Sequence, residues 1–163
     1  SDLKVKIMKK INNIFLKKKI LIYGLGKSGI STYNFLKQKA EIYLFDDNLL
    51  NNFRFNKNSL RFNKILKNNF DYIIISPGID FSNCKLSKYL KQNYSKIYTD
   101  FDVFYSFFNN DSVTITGTNG KSTTAKLLYD VLRDQKKDVR LVGNIGNPVL
   151  SEKKITKKNF FCD

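Results

Sequence analysis

Short apolar runs separated by polar, helix-compatible segments dominate the first hundred residues of the chain. Three of these runs lie at 19–23, 41–45 and 72–76, and each is followed directly by glycine, aspartate or proline. Continuous apolar runs of this length are typical of strands buried on both faces of a parallel sheet. The segment after the first run predicts a helix at about 28–39, and the segment after the third run predicts one at about 84–92. The pattern therefore predicts strand–helix–strand units in this part of the chain.

The predicted helix at 28–39 carries apolar residues at helical spacing. We expect Ile30, Tyr33 and either Leu36 or Phe35 to face the sheet, because residues three or four apart share one side of a helix. A last short strand is predicted at 96–98.

From residue 99 a second series of elements begins. It comprises a short helix, a strand that feeds a glycine-containing turn, a longer helix and two further strands, predicted at 100–108, 112–116, 124–134, 139–142 and 159–163. Because each strand-to-helix turn of this kind opens at the edge of its own sheet, we expect two α/β domains. The predicted fold is α/β, with a Rossmann-like parallel-sheet domain at 19–98 and the first part of a P-loop α/β domain at 99–163.

Residues 1–18 form a basic leader in which Leu3, Ile7, Ile11 and Ile14 recur at helical spacing among lysines. This spacing predicts an amphipathic segment that packs on the first domain. A membrane-surface helix and an organellar presequence are the alternatives that the same pattern allows.

Composition narrows the possible functions. The chain has 163 residues, 42% of them hydrophobic, which predicts a folded protein with a real core. It has no histidine, so histidine-based triads, metal sites and general bases are excluded for this chain alone. The formal charge of +15 comes mainly from scattered lysines, which predicts weak adhesion to polyanions and no specific nucleic-acid recognition.

Two further features of the composition bear on the cellular compartment of the protein. Cys84 and Cys162 lie far apart without the spacing of a metal or redox site, which predicts reduced thiols in a cytoplasmic protein. No apolar run approaches the roughly 18 residues that a membrane span requires.

The first glycine motif is Gly24-x-Gly26-x-x-Gly29, between a predicted strand and a predicted helix. In a dinucleotide-binding turn the first glycine permits the sharp bend, the second lets a diphosphate approach, and the third allows close packing of helix on strand. Asp46 ends the next strand, near the position of the carboxylate that accepts a ribose hydroxyl in such domains. NAD binding and a Rossmann-like domain without a cofactor both remain open on this motif.

The second motif is Gly117-x-x-Gly120-Lys121-Ser122, again between a strand and a helix. Such a turn presents backbone N–H groups and a helix N-terminus to phosphates, while the lysine reaches the outer phosphates and the hydroxyl contacts Mg²⁺. Two residues separate the glycines, whereas the general P-loop pattern has four, which indicates a particular subclass of nucleotide-binding proteins.

A protein with both motifs is expected to hold a nucleotide-linked substrate at one turn and to split ATP at the other. A hydride-transfer enzyme does not need a second, Gly-Lys-Ser turn. Ser76-Pro77-Gly78, at the end of the third predicted strand, lies on the same predicted sheet edge as the first turn. It could therefore border a large ligand there; a plain strand-ending turn is the alternative reading.

Together these residues resemble the Mur ligases, above all their D-glutamate-adding members. The resemblance covers about 19–150, including Gly143-Asn144-Ile145-Gly146, and Gly117-Thr118-Asn119-Gly120-Lys121-Ser122-Thr123 is highly specific for Mur ligases and their folylpolyglutamate-synthetase relatives. It implies that residues 99–163 are the first part of the Mur ligase central domain.

The resemblance also implies the roles of individual residues. The first domain would bind the UDP part of UDP-N-acetylmuramoyl-L-alanine through Gly24, Gly26, Lys27, Ser28, Gly29, Asp46, Asp47, Asn48, Gly78 and Asn144. ATP would bind at Gly117, Thr118, Asn119, Gly120, Lys121, Ser122 and Thr123, with Lys121 and Ser122 catalytic and Ser122 a Mg²⁺ ligand.

The implied reaction transfers the γ-phosphate of ATP to the substrate carboxylate, and the amine of D-glutamate then attacks the acyl phosphate. The resemblance implies a cytoplasmic enzyme of peptidoglycan synthesis that is monomeric at full length. The family's acidic Mg²⁺ ligands, modified lysine, histidine and third domain have no counterpart in these residues. We therefore expect the chain to be an N-terminal fragment that is inactive alone.

Three kinds of alternative remain on the sequence. Another Mur ligase or a folylpolyglutamate-synthetase-like ligase would share the second motif but not the same first domain. A truncated UDP- or nucleotide-binding module would bind ligands without catalysis. A protein that binds polyanions through its lysines would retain affinity at moderate salt.

Overall fold

The computed structural model describes residues 13–48, 51, 58–143 and 145–156, and the backbone of 160–162. The chain divides into two compact units, Ser1–Phe107 and Phe108–Asp163. Most of the predicted leader lies outside the described residues. The predicted domain boundary at 98/99 precedes this division, because the helix that starts at Asp100 packs on the first unit.

The first unit is a four-stranded parallel sheet with helices between its strands. The strands are β1 (Lys19–Tyr23), β2 (Glu41–Phe45), β3 (Tyr72–Ile75) and β4 (Ile97–Tyr98), in the order β2-β1-β3-β4. The helices are α1 (Lys27–Leu36), α2 (Phe62–Leu66), α3 (Ser87–Gln92) and α4 (Asp100–Phe107), and a 3₁₀ turn spans Tyr94–Lys96. The α/β class and the parallel sheet predicted from the sequence are confirmed.

Strand β1 forms the centre of the core. Ile20, Leu21, Ile22 and Tyr23 are each 0% exposed, because strands flank β1 on both sides and packed side chains cover its two faces. Its register aligns Ile22 with Leu44 of β2 and with Ile74 of β3. The continuous apolar run is therefore explained by burial on both faces.

Helix α1 presents a different face to the core from the one predicted. Gly29, Thr32 and Leu36 are buried, whereas Ile30 and Tyr33 are only partly buried. The physical reason is that Gly29 lies against the turn after β1, and residues three and seven positions later share its side of the helix. The expectation for Leu36 is correct, and that for Ile30 and Tyr33 is wrong.

Phe15, near the end of the predicted leader, is fully buried in the first unit. Its ring makes edge contacts with Tyr72 and Tyr98, with centroids 5.2 and 5.4 Å away. Such aromatic pairs add to the stabilisation that burial provides. Residues just before β1 are thereby anchored on β3 and β4.

The second unit contains a three-stranded parallel sheet in the order β5-β7-β6. Its elements are β5 (Ser112–Val113), α5 (Lys121–Asp134), β6 (Val139–Leu141), a 3₁₀ turn at Val149–Ser151 and β7 (Phe160–Cys162). The predicted strand at 112–116 is shorter, and the helix begins at Lys121 rather than at residue 124. In the described part of the chain, no helix combines the length and apolarity that crossing a membrane requires.

Candidate functional site

The strand order of the first sheet indicates where a ligand-binding crevice would lie. Because β1 lies between β2 and β3, the connections that leave β1 and β2 run to opposite sides of the strand. The carboxyl ends of strands at such a switch point are where open α/β sheets bind ligands. The turn at 24–29, Asp46 and Ser76 follow β1, β2 and β3 respectively. The structure therefore brings these three predicted site segments to one sheet edge.

Side chains from the neighbouring strand ends hold the turn after β1, which we call the first turn (residues 24–29). The backbone N–H of Leu25 donates to Asp46 Oδ2 at 2.5 Å. The Ser76 hydroxyl donates to the carbonyl oxygen of Gly24 at 2.8 Å in a buried position. The first turn is thus connected to both β2 and β3, which restricts its conformation before any ligand binds.

The three glycines of the first turn have distinct environments. A Cβ at Gly29 would lie 1.8 Å from the carbonyl oxygen of Gly24, so only glycine permits this close packing. Gly24 has φ +95°, and a Cβ there would lie 2.9 Å from Ser76 Cβ. A Cβ at Gly26 would meet no atom within 4 Å. Gly24 and Gly29 are therefore structural, and Gly26 leaves the turn open on one side.

The predicted uridine side contains two carboxylates with different partners. Asp46 is buried, and besides Leu25 it accepts a hydrogen bond from the backbone N–H of Asn48 at 2.7 Å. Asp47 accepts from the Tyr23 hydroxyl at 2.6 Å and from the backbone N–H of Lys85 at 3.1 Å. Burial, together with the Asp47 hydrogen bond, raises the pKa of Tyr23 far above its usual value. Both carboxylates therefore order the backbone around the crevice.

Sequence reasoning missed Tyr23, Lys85 and Asp100 as residues of this region. The Lys85 ammonium donates to the carbonyl oxygen of Asp47 at 2.7 Å, and the Ser28 hydroxyl donates to Asp100 Oδ2 at 2.5 Å. Neither Lys85 nor Asp100 belongs to a motif. Tyr23 carried the only available signal, a phenol at the last position of an otherwise aliphatic buried strand.

The turn before α5, residues 117–122, is called the second turn. Residues 117–120 are exposed, and Gly120 has φ +76°, a left-handed conformation that glycine adopts without strain. Lys121 is the first residue of α5, and its ammonium donates to the carbonyl oxygens of Gly117 and Thr118. No acidic residue lies in the initial helical turn of α5. The second turn thus combines a helix N-terminus with a lysine directed at the loop, as phosphate binding requires.

An open groove begins beside the second turn and continues along α5. Its volume is about 840 Å³, within the range of ligand sites. It is lined by Ser122, Thr123, Lys126, Leu127, Tyr129, Asp130, Arg133, Leu141 and Ile145. The exposed hydroxyls of Ser122 and Thr123 lie at the end nearest the second turn.

Asn144 lies outside the described residues. Within the ranges that the structure describes, no group of three or more His, Cys, Asp or Glu side chains is arranged to hold a metal ion. Ser122 stays the predicted Mg²⁺ contact, and its side chain is exposed.

Comparison with known proteins gives two findings. Residues 115–160 match the Mur ligase middle domain. The chain is also similar to UDP-N-acetylmuramoylalanine–D-glutamate ligases: 37% identical to that of Rickettsia bellii over 146 residues, 34% to that of Aquifex aeolicus over 131 and 32% to that of Lachnoclostridium phytofermentans over 161.

The three alignments cover 86%, 80% and 89% of this chain but 32%, 29% and 34% of those relatives. The chain thus spans about a third of the length of the curated relatives it matches. The alignments with the Rickettsia bellii and Lachnoclostridium phytofermentans proteins, at 86% and 89% of this chain, are long enough to include both turns. The chain is thus similar to Mur ligases along most of its length, and its residues 115–160 match the middle domain of that family.

Proposed function

We propose that the chain carries the UDP-substrate and ATP-phosphate sites of an ATP-dependent ligase that adds D-glutamate to UDP-N-acetylmuramoyl-L-alanine. The observation that carries this proposal is the presence of two glycine turns, each leading into a helix N-terminus, in a chain whose relatives bear that ligase name. The enzyme would act in peptidoglycan precursor synthesis in the cytoplasm, as a monomer at full length.

The first turn would bind the diphosphate of the UDP-linked substrate. The first N–H groups of a helix have no intrahelical acceptor, so the amides of Lys27, Ser28 and Gly29 are available to an anion. The first helical hydrogen bond runs from Ile30 N–H to Gly26 O at 3.0 Å. Lys27 is exposed and adds a positive charge, while Gly78 and the segment 46–48 border the remainder of the ligand.

The second turn would bind the β- and γ-phosphates of ATP. Phosphate oxygens are stronger acceptors than carbonyls, so the Lys121 ammonium would leave Gly117 O and Thr118 O for them. The Ser122 hydroxyl would hold Mg²⁺, and the N-terminus of α5 would supply backbone donors. Bound Mg²⁺ supplies neutralisation of charge on the transferring phosphoryl group.

The chemistry explains why cationic groups are needed. A substrate carboxylate oxygen attacks the γ-phosphorus, the bond to ADP breaks, and an acyl phosphate forms. The D-glutamate amine then attacks the acyl carbon, loses a proton, and phosphate leaves. Both partners of the first step are anions, so Lys121 and the α5 amides would lower the barrier by stabilising the developing charge.

Thermal unfolding of the chain with UDP, Mg²⁺–ATP and NADH in separate titrations tests this proposal. We expect stabilisation by UDP and by Mg²⁺–ATP at micromolar to millimolar concentrations, and none by NADH. Stabilisation by ATP alone would favour a folylpolyglutamate-synthetase-like ligase. Selective stabilisation by NADH would contradict the proposal and favour a dehydrogenase.

A further inference from the structure

Asp100 is a buried carboxylate that the proposed roles do not use. It is the first residue of α4, and only 5% of it is exposed. Its Oδ2 accepts the Ser28 hydroxyl at 2.5 Å, and its Oδ1 accepts the backbone N–H of Phe101 at 3.0 Å. Burying a carboxylate is costly unless it is hydrogen-bonded, so these contacts need a structural or functional reason.

Capping of α4 accounts for only one of the two oxygens of Asp100, the Oδ1 that accepts the Phe101 N–H. The backbone N–H of Thr99 donates to Asp102 Oδ2 at 2.7 Å, and the backbone N–H of Asp102 donates to Thr99 Oγ1 at 3.3 Å. This reciprocal pair is a capping box, which already satisfies the start of the helix. The other oxygen, Oδ2, instead contacts Ser28 of α1, 72 residues earlier in the chain.

The contact constrains what Ser28 can do for a ligand. A serine hydroxyl has one proton, and here that proton is donated to Asp100. While this bond exists, the Ser28 side chain cannot donate to a phosphate oxygen. The backbone N–H of Ser28 lies in the initial helical turn of α1, so the helix still orients it toward an anion at the helix N-terminus.

We propose that Asp100 is a positioning residue for the diphosphate-binding turn, and that the diphosphate is bound by the backbone amides of 27–29 rather than by the Ser28 hydroxyl. This inference rests on the proposed UDP site. Asp46 and Ser76 are hydrogen-bonded to the loop residues Leu25 and Gly24, whereas Asp100 is hydrogen-bonded to Ser28, within the initial helical turn of α1. The three bonds together orient the helix amides relative to the carboxyl ends of β1 and β3.

UDP binding to the full chain, measured by isothermal titration calorimetry, tests the role of Asp100. We expect Ser28→Ala and Asp100→Ala each to weaken UDP binding about tenfold, and the double variant to bind no more weakly than either. Ser28→Thr keeps a hydroxyl and should restore binding to within about twofold. Asp100→Asn keeps an acceptor oxygen and should lose less than Asp100→Ala.

Two control variants separate this effect from general loosening of α4. Asp102→Asn removes an exposed carboxylate from the same helix, and Ser106→Ala removes a hydroxyl that contacts Asn13 and Val103. Both should lower the urea midpoint without changing UDP affinity. A loss of UDP affinity in Ser106→Ala equal to that in Asp100→Ala would overturn the positioning role.

The outcomes distinguish this inference from the proposed function. If Ser28→Ala weakens UDP binding as much in the Asp100→Ala background as in the wild type, the hydroxyl contacts the phosphate and the inference is overturned. Unchanged or tighter UDP binding in Asp100→Ala also overturns it, while the UDP site stands. Failure of the wild-type chain to bind UDP overturns the proposed function and this inference together.

Discussion

The two glycine turns of this chain both lead from a strand into a helix, but they differ in how they are held. The first turn lies against a buried strand; it donates hydrogen bonds to Asp46 and, through the Ser28 hydroxyl, to Asp100, and it accepts one from Ser76. The second turn is exposed, and its described side-chain contacts come from Lys121 and Thr124 at the start of its own helix. Distant parts of the fold thus hold one turn, and adjacent residues hold the other.

This difference indicates when each turn acquires the geometry that the proposed ligands would need. Contacts from β2, β3 and α4 order the first turn during folding, so a ligand there pays little additional ordering cost. The contacts of the second turn are between its own residues, and the Lys121 contacts are to carbonyls that phosphates can replace. The second turn is therefore expected to adjust when a nucleotide binds.

The largest expected effect is that of Gly29→Ala on the first unit. A Cβ at Gly29 would lie 1.8 Å from Gly24 O, so the helix or the turn must move. We expect a loss of about 3 kcal/mol in the free energy of unfolding, measured by urea denaturation. Gly26→Ala, where a Cβ meets no atom within 4 Å, is the matched control and should change stability by less than about 1 kcal/mol. Equal losses in the two variants would refute the close-packing argument.

At the second turn, Lys121→Ala should affect ligand binding more than folding. Replacing this lysine removes a charged donor to the phosphates, so we expect Mg²⁺–ATP affinity to fall about 30-fold, or about 2 kcal/mol. The urea midpoint should remain within error, because Lys121 contacts only carbonyls of its own loop among the bonds described. Lys137→Ala, which removes an exposed lysine beyond α5, controls for net charge. Similar ATP binding by wild type and Lys121→Ala would exclude the second turn as the phosphate site.

A matched pair of hydroxyls tests the comparison directly. Ser76 donates to Gly24 O at 2.8 Å in the first turn, and Thr124 donates to Gly120 O at 3.0 Å in the second. Ser76→Ala should cost about 1.5 kcal/mol of unfolding free energy because it leaves a buried carbonyl without this donor. Thr124→Ala should cost less than about 0.5 kcal/mol because its bond is exposed and local. A reversed order in urea denaturation would contradict the distinction between the turns.

The smallest effect concerns alkaline pH and the first unit. Burial raises the folded-state pKa of Tyr23, so its contribution is fully present below the unfolded pKa of about 10 and is lost as pH rises above it. By pH 11 this single group should cost about 1 kcal/mol. Tyr23→Phe should show a shallower decline in unfolding free energy between pH 9.5 and about 11 than the wild type does. Identical slopes would show that Tyr23 ionises normally in the folded protein.

Much of the fold was predictable from short-range patterns. The bounds of β1 and β2 were predicted correctly because each strand is a charged residue followed by four apolar ones, and a glycine or an aspartate comes directly after it. Strand β5 was predicted too long, since 114–116 continue the β-branched run but lie outside the ladder with β7. The exposed apolar side chains of α5, such as Leu127 and Val131, show that helical periodicity does not by itself specify burial.

Sequence alone determined the two glycine turns, the parallel sheets and the lysine at the start of α5, because these depend on residues that are close together along the chain. Only the tertiary structure decided which face of α1 is buried and which partners Asp46, Asp47 and Asp100 have. Those contacts join residues from separate strands and helices, as in the pairing of Ser28 with Asp100. Their geometry depends on how whole elements pack, and no local pattern encodes it.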